Sequence, residues 1–537
     1  MKKLLLLILI LTAICLLNAQ NVGKIMHSNI KNISMYVDGL QKDWGIEPSL
    51  KPDIYKHFDA AKSTCRIKFI SDIDSLEFIA EADKPIDFVI IYKGDTAQTR
   101  IKFTNKYENT LTNDEKLYAL SLFWSEAKYN FAFIDKLKFD LDSLYQNLIP
   151  KVLQTSNDYE FYDLMKKFAG SFKDGHTQCV YSNSHLYTDY APMEVRYFGD
   201  SLYIVSVSED LAKIFPLGSK IITVNALPFN VYMQQFIEPY IDSDFKPTVK
   251  MLSAPRLLGY KSLKDTLLLT CKTPDNRILS NYVPINGSSF TGKYLGYEAK
   301  YPQSQIEISW LKNDIAVLAF NTFYDRREDY LINLFDKMKD TLYFAKGIII
   351  DLRKNGGGTT PVAWHLLKHI IKEPYFLNYA WQTRINDGVK KANGNWREEY
   401  KDFYKNQAYR TVLGDTIFIP DSIKRFDVPV VILISSSTVS AAEDFLIDLY
   451  EHPNRPLLIG QPSFGSTGSP LMVWGFPENG WARICTRRVL FPYSLKPFTE
   501  GIQPDIQVDY TFDEFMSGKD KDIEVAVKEL EKQMKRR

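Results

Sequence analysis

Ser440 stands where one apolar segment ends and another begins. Val430-Val431-Ile432-Leu433-Ile434 predicts a buried strand, Ser435 to Ser440 a small polar turn, and Ala441-Ala442-Glu443 the opening of a helix. A serine at such a crossing is held on a rigid edge beside the free N–H groups of a helix's first turn, which favour developing negative charge. The neighbouring hydroxyls leave a helix-capping or polar-turn role open, and on this segment alone that role is the favoured one. A neutral serine becomes a nucleophile only when a base takes its proton. Of the seven histidines, His176 lies in Lys173-Asp174-Gly175-His176-Thr177, where the glycine allows a turn and close backbone approach. An ordinary turn histidine fits the same stretch.

A second segment, Asp351-Leu352-Arg353-Lys354-Asn355-Gly356-Gly357-Gly358, follows an apolar strand at Gly347–Ile350. Three glycines allow a tight loop with exposed N–H groups, a concavity suited to an oxyanion or a phosphate. Lys354 precedes the glycines and no lysine follows them, which argues against a nucleotide loop. Asp351 and Arg353 are placed to brace the loop as a charge pair. Two further loops are rich in turn formers: Gly460 to Gly468, and Thr499-Glu500-Gly501-Ile502-Gln503-Pro504-Asp505. A carboxylate in the latter could orient a base. His365 and His369, four apart on a predicted helix, share a face. Leu366, Leu367 and Lys368 between them supply no general-base glutamate, so both read as surface or packing residues. No metal or cofactor is expected.

These segments need elements to hold them. Ile315–Phe320, Gly347–Ile350, Val430–Ile434 and Leu457–Ile459 read as strands. Asp329–Met338, Pro361–Ile371, Ala441–Leu449 and Asp522–Met534 read as helices. That alternation predicts a layered α/β core over 288–537. Helical periodicity dominates 109–189, and strands return over 190–287, with a Gly/Ser-rich linker at its end. Residues 20–108 read as a β-rich accessory module, with one short helix within Asn21 to Ile46. Residues 1–19 have the form of a cleaved leader: Lys2 and Lys3, an apolar run from Leu4 to Leu17, and Ala19 before Gln20. Ile14 before Cys15 argues against lipid attachment there. The expected location is periplasmic or extracellular, with no spanning segment after the leader.

The 537 residues call for two to four domains, and 45% hydrophobic with 24% charged residues is ordinary for a globular chain. Without Lys2 and Lys3 the formal charge of +1 becomes −1, so no basic field exists to hold nucleic acid. The five cysteines are too few and too scattered for a disulfide scaffold or a paired metal site.

Taken in order, Asp174-Gly175-His176-Thr177, Asp351 to Gly357, Ser440-Ala441-Ala442-Glu443, and Glu500-Gly501 with Pro504-Asp505 resemble the tail-specific or C-terminal processing serine peptidases, in particular their tricorn-like branch. The resemblance covers about residues 170–510. It implies a mixed-sheet α/β peptidase core with a helical segment, a PDZ-like domain at 190–287 and the N-terminal accessory domain. It implies Ser440 as nucleophile, His176 as base and Glu500 as a supporting carboxylate. The N–H groups of Gly356 or Gly357 and of Ala441 would be oxyanion donors. The substrate would be a polypeptide or peptide. Much of the wider family uses a Ser–Lys pair, with the lysine in the loop after the nucleophile. Here Phe464-Gly465-Ser466 puts Ser466 near that place, which fits a histidine-based mechanism. A non-catalytic peptide-binding or scaffold protein of the same fold and a serine esterase are the alternative functions. No Gly-x-Ser-x-Gly elbow surrounds Ser440, against the second.

Overall fold

A computed structural model describes backbone strands between residues 24 and 105 and then residues 111–536, apart from 185–187, 260, 263–266, 290–291, 299–301, 326 and 328. The leader-like segment lies outside the described residues. Between 24 and 105 the strands form two four-stranded sheets. One runs Lys24–Met26, Ile86–Tyr92, Asp95–Asn105, Ile54–Ala60; the other runs Leu40–Lys42, Ile33–Val37, Thr64–Ser71, Ser75–Glu81. Of the stretch Asn21 to Ile46, where a short helix is expected, the described residues form strands, and the rest lies outside the described residues. Ile33-Ser34-Met35-Tyr36-Val37 carries β-favouring side chains and pairs antiparallel with Thr64–Ser71.

Helices α1 (Asn113–Asn130), α2 (Leu141–Leu153) and α3 (Asp158–Gly170) follow. Thr112 and Glu115 cap α1 reciprocally, and Asp140 and Asn157 cap the next two, which satisfies N–H groups that a helix start leaves open. Their apolar faces bury Phe123, Phe161, Tyr162 and Phe168 against Val473, Ala482 and Ile484 from far along the chain. Strand β1 (Gln178–Tyr181) completes that union by pairing antiparallel with Gly480–Cys485.

The next sheet contains β2 (Met193–Phe198), β3 (Ser201–Ser208), β4 (Lys220–Val224), β5 (Leu267–Lys272) and β6 (Ile278–Val283). Helix α4 (Lys246–Leu258) packs against it through Leu257 and Leu258. The sheet also takes Tyr294–Gly296, paired antiparallel with β3, from beyond residue 287. Gly296 has φ +96 and a Cβ there would lie 2.4 Å from the Val205 carbonyl, so the return into the sheet requires glycine.

The α/β core is a six-stranded sheet of β7 (Ile306–Trp310), β8 (Ile315–Phe320), β9 (Gly347–Asp351), β10 (Val430–Ile434), β11 (Leu457–Gly460) and β12 (Ile506–Gln507), in that spatial order. Only β7 runs antiparallel; β8 to β12 are parallel. Helices α5 (Tyr330–Met338), α6 (Thr360–Ile370) and α7 (Ala441–Tyr450) cover one face, where Leu331, Phe335, Leu366, Phe445 and Leu446 meet Ile348, Ile350 and Ile432. Helix α8 (Lys521–Arg536) covers the other through Ala526 and Leu530. Burial on both faces explains why the central strands are apolar without alternation. The loops leaving the C-terminal ends of β9, β10 and β11 carry the glycine segment, Ser440 and Ser466, the end of a parallel sheet where ligands bind. Leu446→Ala removes a fully buried side chain from this core, and the expected loss is about 2–5 kcal/mol, read as a lower midpoint of chemical denaturation.

Candidate active site

Three loops and one strand connection meet around Ser440. The residue follows the turn that leaves β10 and has φ +59, an unfavourable conformation for a non-glycine residue that its surroundings must enforce. They do so at several points. The Thr438 hydroxyl donates to the Leu352 carbonyl at 2.9 Å, the Ser435 hydroxyl to the Arg353 carbonyl at 2.6 Å, and Val439 N–H to the Asn355 carbonyl at 3.0 Å. The turn is thereby laced to the loop that follows β9.

That loop is itself pinned. Asn355, fully buried, donates from Nδ2 to the Phe320 carbonyl at 2.8 Å and accepts Gly357 N–H at its Oδ1 at 3.0 Å. Arg353 pairs with Asp351 at 2.7 Å, as the sequence suggests, and also with Asp520 and Asp522 at the start of α8, at 2.8 and 2.9 Å. Gly357 has φ +92, and a Cβ on it would lie 2.7 Å from the Ser440 Cβ and 2.9 Å from Ala441 N. Glycine is required there by both conformation and space. The expected oxyanion donors separate on this geometry. Gly357 N–H is committed to Asn355. Gly356 is exposed, and among the described residues neither its N–H nor that of Ala441, at the start of α7, has an acceptor.

His176 comes from the connection between α3 and β1. Its Nε2 lies 3.2 Å from Ser440 Oγ and its Nδ1 lies 2.8 Å from Ser466 Oγ. Asp174 shapes the connection, accepting His176 N–H at 2.9 Å and the Thr177 hydroxyl at 3.0 Å. Arg483 Nη2 donates to the Gly175 carbonyl at 2.8 Å and Cys485 N–H to the Thr177 hydroxyl at 3.1 Å, so the strand paired with β1 also holds the loop. Gly175 permits the approach, since a Cβ would stand 2.6 Å from the Phe464 ring. Burial, and then the charges of Arg483 and Arg487, pull the His176 pKa down to about 3. The ring is therefore neutral at pH 7, with a lone pair to offer.

Glu443, in the first turn of α7, reads in the sequence only as part of the opening of that helix. It is fully buried and gathers four donors. Its Oε1 accepts the Ser463 hydroxyl and Gly465 N–H, each at 2.6 Å; its Oε2 accepts Ser466 N–H at 3.0 Å and Ser440 N–H at 3.3 Å. Burial pushes the carboxyl up to about 8 against the pull of those bonds. One carboxyl group thus joins the Ser440 turn to the loop that carries Ser466.

Glu500 is placed differently from the carboxylate the sequence points to. Its side chain is exposed, and both ring nitrogens of His176 face serine hydroxyls. Its backbone is close: a Cβ on Gly465 would lie 3.3 Å from the Glu500 carbonyl carbon and 2.9 Å from Gly501 N. Ser463 and Ile502 exchange hydrogen bonds, Ile502 N–H to Ser463 Oγ at 2.7 Å and Ser463 N–H to the Ile502 carbonyl at 3.0 Å. The segment buttresses the Ser466 loop through its main chain. Lys354 is exposed.

The chain's comparison with known proteins agrees with this core. The model of peptidase family S41 matches residues 314–508. Among solved structures, mature CPAF gives a TM-score of 0.57 at 13% identity, covering 79% of this chain and 97% of that one. Mature CPAF complexed with lactacystin gives 0.56 at 14% identity, covering 79% and 98%. At these identities the likeness is one of fold. No curated protein matches.

The depressed His176 pKa has a consequence for stability. Between its ordinary value of 6.5 and about 3, the unfolded chain binds a proton that the folded chain refuses. The contribution of the neutral ring is complete above pH 6.5 and is lost as pH falls toward 3. Denaturation midpoints measured from pH 7 to pH 4 are expected to fall more steeply for the wild type than for His176→Gln.

Proposed function

We propose that this chain, whose residues 314–508 match the model of peptidase family S41, is a serine endopeptidase that cleaves polypeptides outside the cytoplasm through an acyl-enzyme on Ser440. The observation that carries the reading is the 3.2 Å contact between His176 Nε2 and Ser440 Oγ, made by residues 264 positions apart. Among the described residues the N–H groups of Gly356, in the loop laced to the Ser440 turn, and of Ala441, next to Ser440, have no acceptor.

For Nε2 to accept the serine proton, the ring's own proton resides on Nδ1, where Ser466 Oγ receives it. Ser466 is then a positioning residue: it fixes tautomer and ring plane, and Glu443 fixes Ser466 by its N–H. As Ser440 Oγ attacks the scissile carbonyl, His176 takes its proton. The carbonyl oxygen gains negative charge and is met by the N–H groups of Gly356 and Ala441, whose alignment costs no reorganisation. His176 protonates the departing amine and then draws a proton from the water that releases the acyl group. Ser466 in place of a lysine leaves the histidine as the base. Export is read from the leader-like residues 1–19; among the described residues no helix is long and apolar enough to cross a membrane.

Ser440→Ala is expected to lower kcat/KM on unfolded protein substrates by at least about a thousandfold. The melting temperature should stay within a few degrees, since a single half-buried hydroxyl is lost. Equal activity in the variant removes Ser440 from the reaction. Peptide binding without turnover in the wild type would select the scaffold reading, and cleavage of esters alone the esterase reading. The acid limb of the kcat/KM profile is expected well below pH 6.5, because His176 stays neutral there.

A further inference from the structure

His365 and His369 lie on α6, one turn apart, and face Asp336 on α5. One ligand atom from each of the three residues can be chosen so that all lie within 4.8 Å of one another. His365 Nε2 is 2.9 Å from Asp336 Oδ1. His369 is 2% exposed, and its Nδ1 is 2.8 Å from the Lys424 carbonyl. Nδ1 is also 3.1 Å from the Tyr343 hydroxyl, which itself donates to the Lys424 carbonyl at 2.8 Å; both oxygens then accept from Nδ1, which carries the ring proton and leaves a lone pair on Nε2. That Nε2 is buried and, among the described residues, has no hydrogen-bond partner. An unsatisfied acceptor at such depth is costly, and native interiors seldom keep one without a reason.

We propose that Asp336, His365 and His369 bind a divalent transition-metal ion, with Zn2+ the best match, that clamps α5 to α6. Two imidazoles and one carboxylate are a donor set for zinc and its neighbours rather than for calcium or magnesium, which require oxygen. The Nδ1–H to carbonyl bond of His369 is the outer contact that orients a metal-ligating histidine. A tetrahedral ion with bonds near 2.0–2.2 Å needs its ligands about 3.3 Å apart, so the present set closes by small side-chain rotations. The ion would take the place of the His365 to Asp336 hydrogen bond, with the His365 proton on Nδ1. Asp336 and His365 are partly exposed, which leaves a route of entry and a fourth position for water. Lys339 stands 2.6 Å from Asp336 Oδ1 and opposes the ion by its charge. The two ligands of α6 lie about 8 and 14 Å along the helix from its start at Thr360, so the clamp is structural and sits apart from Ser440. The i, i+4 histidines are visible in the sequence. What they lacked was the third ligand, which α5 supplies.

The test uses the untagged full chain carrying Ser440→Ala, stripped with chelator, so that neither turnover nor self-cleavage enters the readout. Zn2+ is titrated against a chromophoric chelator and Co2+ is followed by its visible spectrum. One equivalent of Zn2+ is expected, with a four-coordinate Co2+ spectrum and a melting temperature that rises with Zn2+. His369→Ala and His365→Gln should each weaken binding by more than about tenfold. Lys339→Ala should tighten it, and His452→Ala, elsewhere in the core, should leave it unchanged. His365 is half-buried, so His365→Gln keeps the test meaningful if His369→Ala fails to fold. Absence of saturable binding up to about 1 mM Zn2+, a range in which association is already feeble, or unchanged affinity in His365→Gln overturns the proposal. Neither result bears on the reaction at Ser440.

Discussion

A buried carboxyl group gathering four donors is the contact on which the rest of the site depends. Glu443 has no cationic partner among its hydrogen bonds; it is met instead by three N–H groups and one hydroxyl. Placing an acid in the interior is unfavourable unless its lone pairs are filled, and filling them forces two loops into one register. The Ser440 turn leaves β10, the Ser466 loop leaves β11, and the carboxyl group between them fixes their separation. His176, brought by a third part of the chain, then finds a hydroxyl at each ring nitrogen. The positive φ at Ser440 is tolerable because the same bonds over-determine it.

The scaffold around this point is stiff for ordinary reasons. Parallel strands with apolar side chains on both faces are clamped between the helices packed on either side. Asn355 extends the rigidity to the glycine loop, trading side-chain bonds for backbone ones on both sides. Arg353 ties the same loop to the start of α8, so the last helix also supports the site. Loops that would otherwise wander are held by groups with little room to move.

Much of the core was legible in the sequence. Ile315–Phe320 and Val430–Ile434 are strands over the span their apolar runs mark, because turn formers bound them sharply. Ser440 and His176 were legible because each type is chemically specific and each sits at a break between elements. Glu500 and Glu443 show the limit. Both are acidic residues beside glycine or small residues, and only the three-dimensional path reveals that one faces solvent while the other is sealed inside. Asn355 was hidden for a similar reason: an asparagine before glycines reads as a turn former, and its role lies in tying its own loop, at Gly357 N–H, to the distant Phe320 carbonyl. The stretch from 371 to 430 carries four short strands that pair across gaps of some twenty-five to forty residues, Tyr375–Leu377 with Thr416–Phe418 and Ala380–Arg384 with Tyr409–Val412, the latter also with Arg488–Leu490, so local pattern gave little purchase. In the N-terminal region, brief apolar runs between polar residues suit a short helix or a strand, and sheet pairing decided the matter.

The pairing of β1 with Gly480–Cys485 has a bearing on how the molecule comes into being. The imidazole is synthesised early and the strand that holds its loop arrives some three hundred residues later. Contacts so distant along the chain close late and slowly, after the costs of ordering the intervening segments have been met. A still-unfolded copy therefore carries every reactive group yet has no assembled centre with which to attack its neighbours. Latency of this kind needs no inhibitory segment; it is a property of the topology.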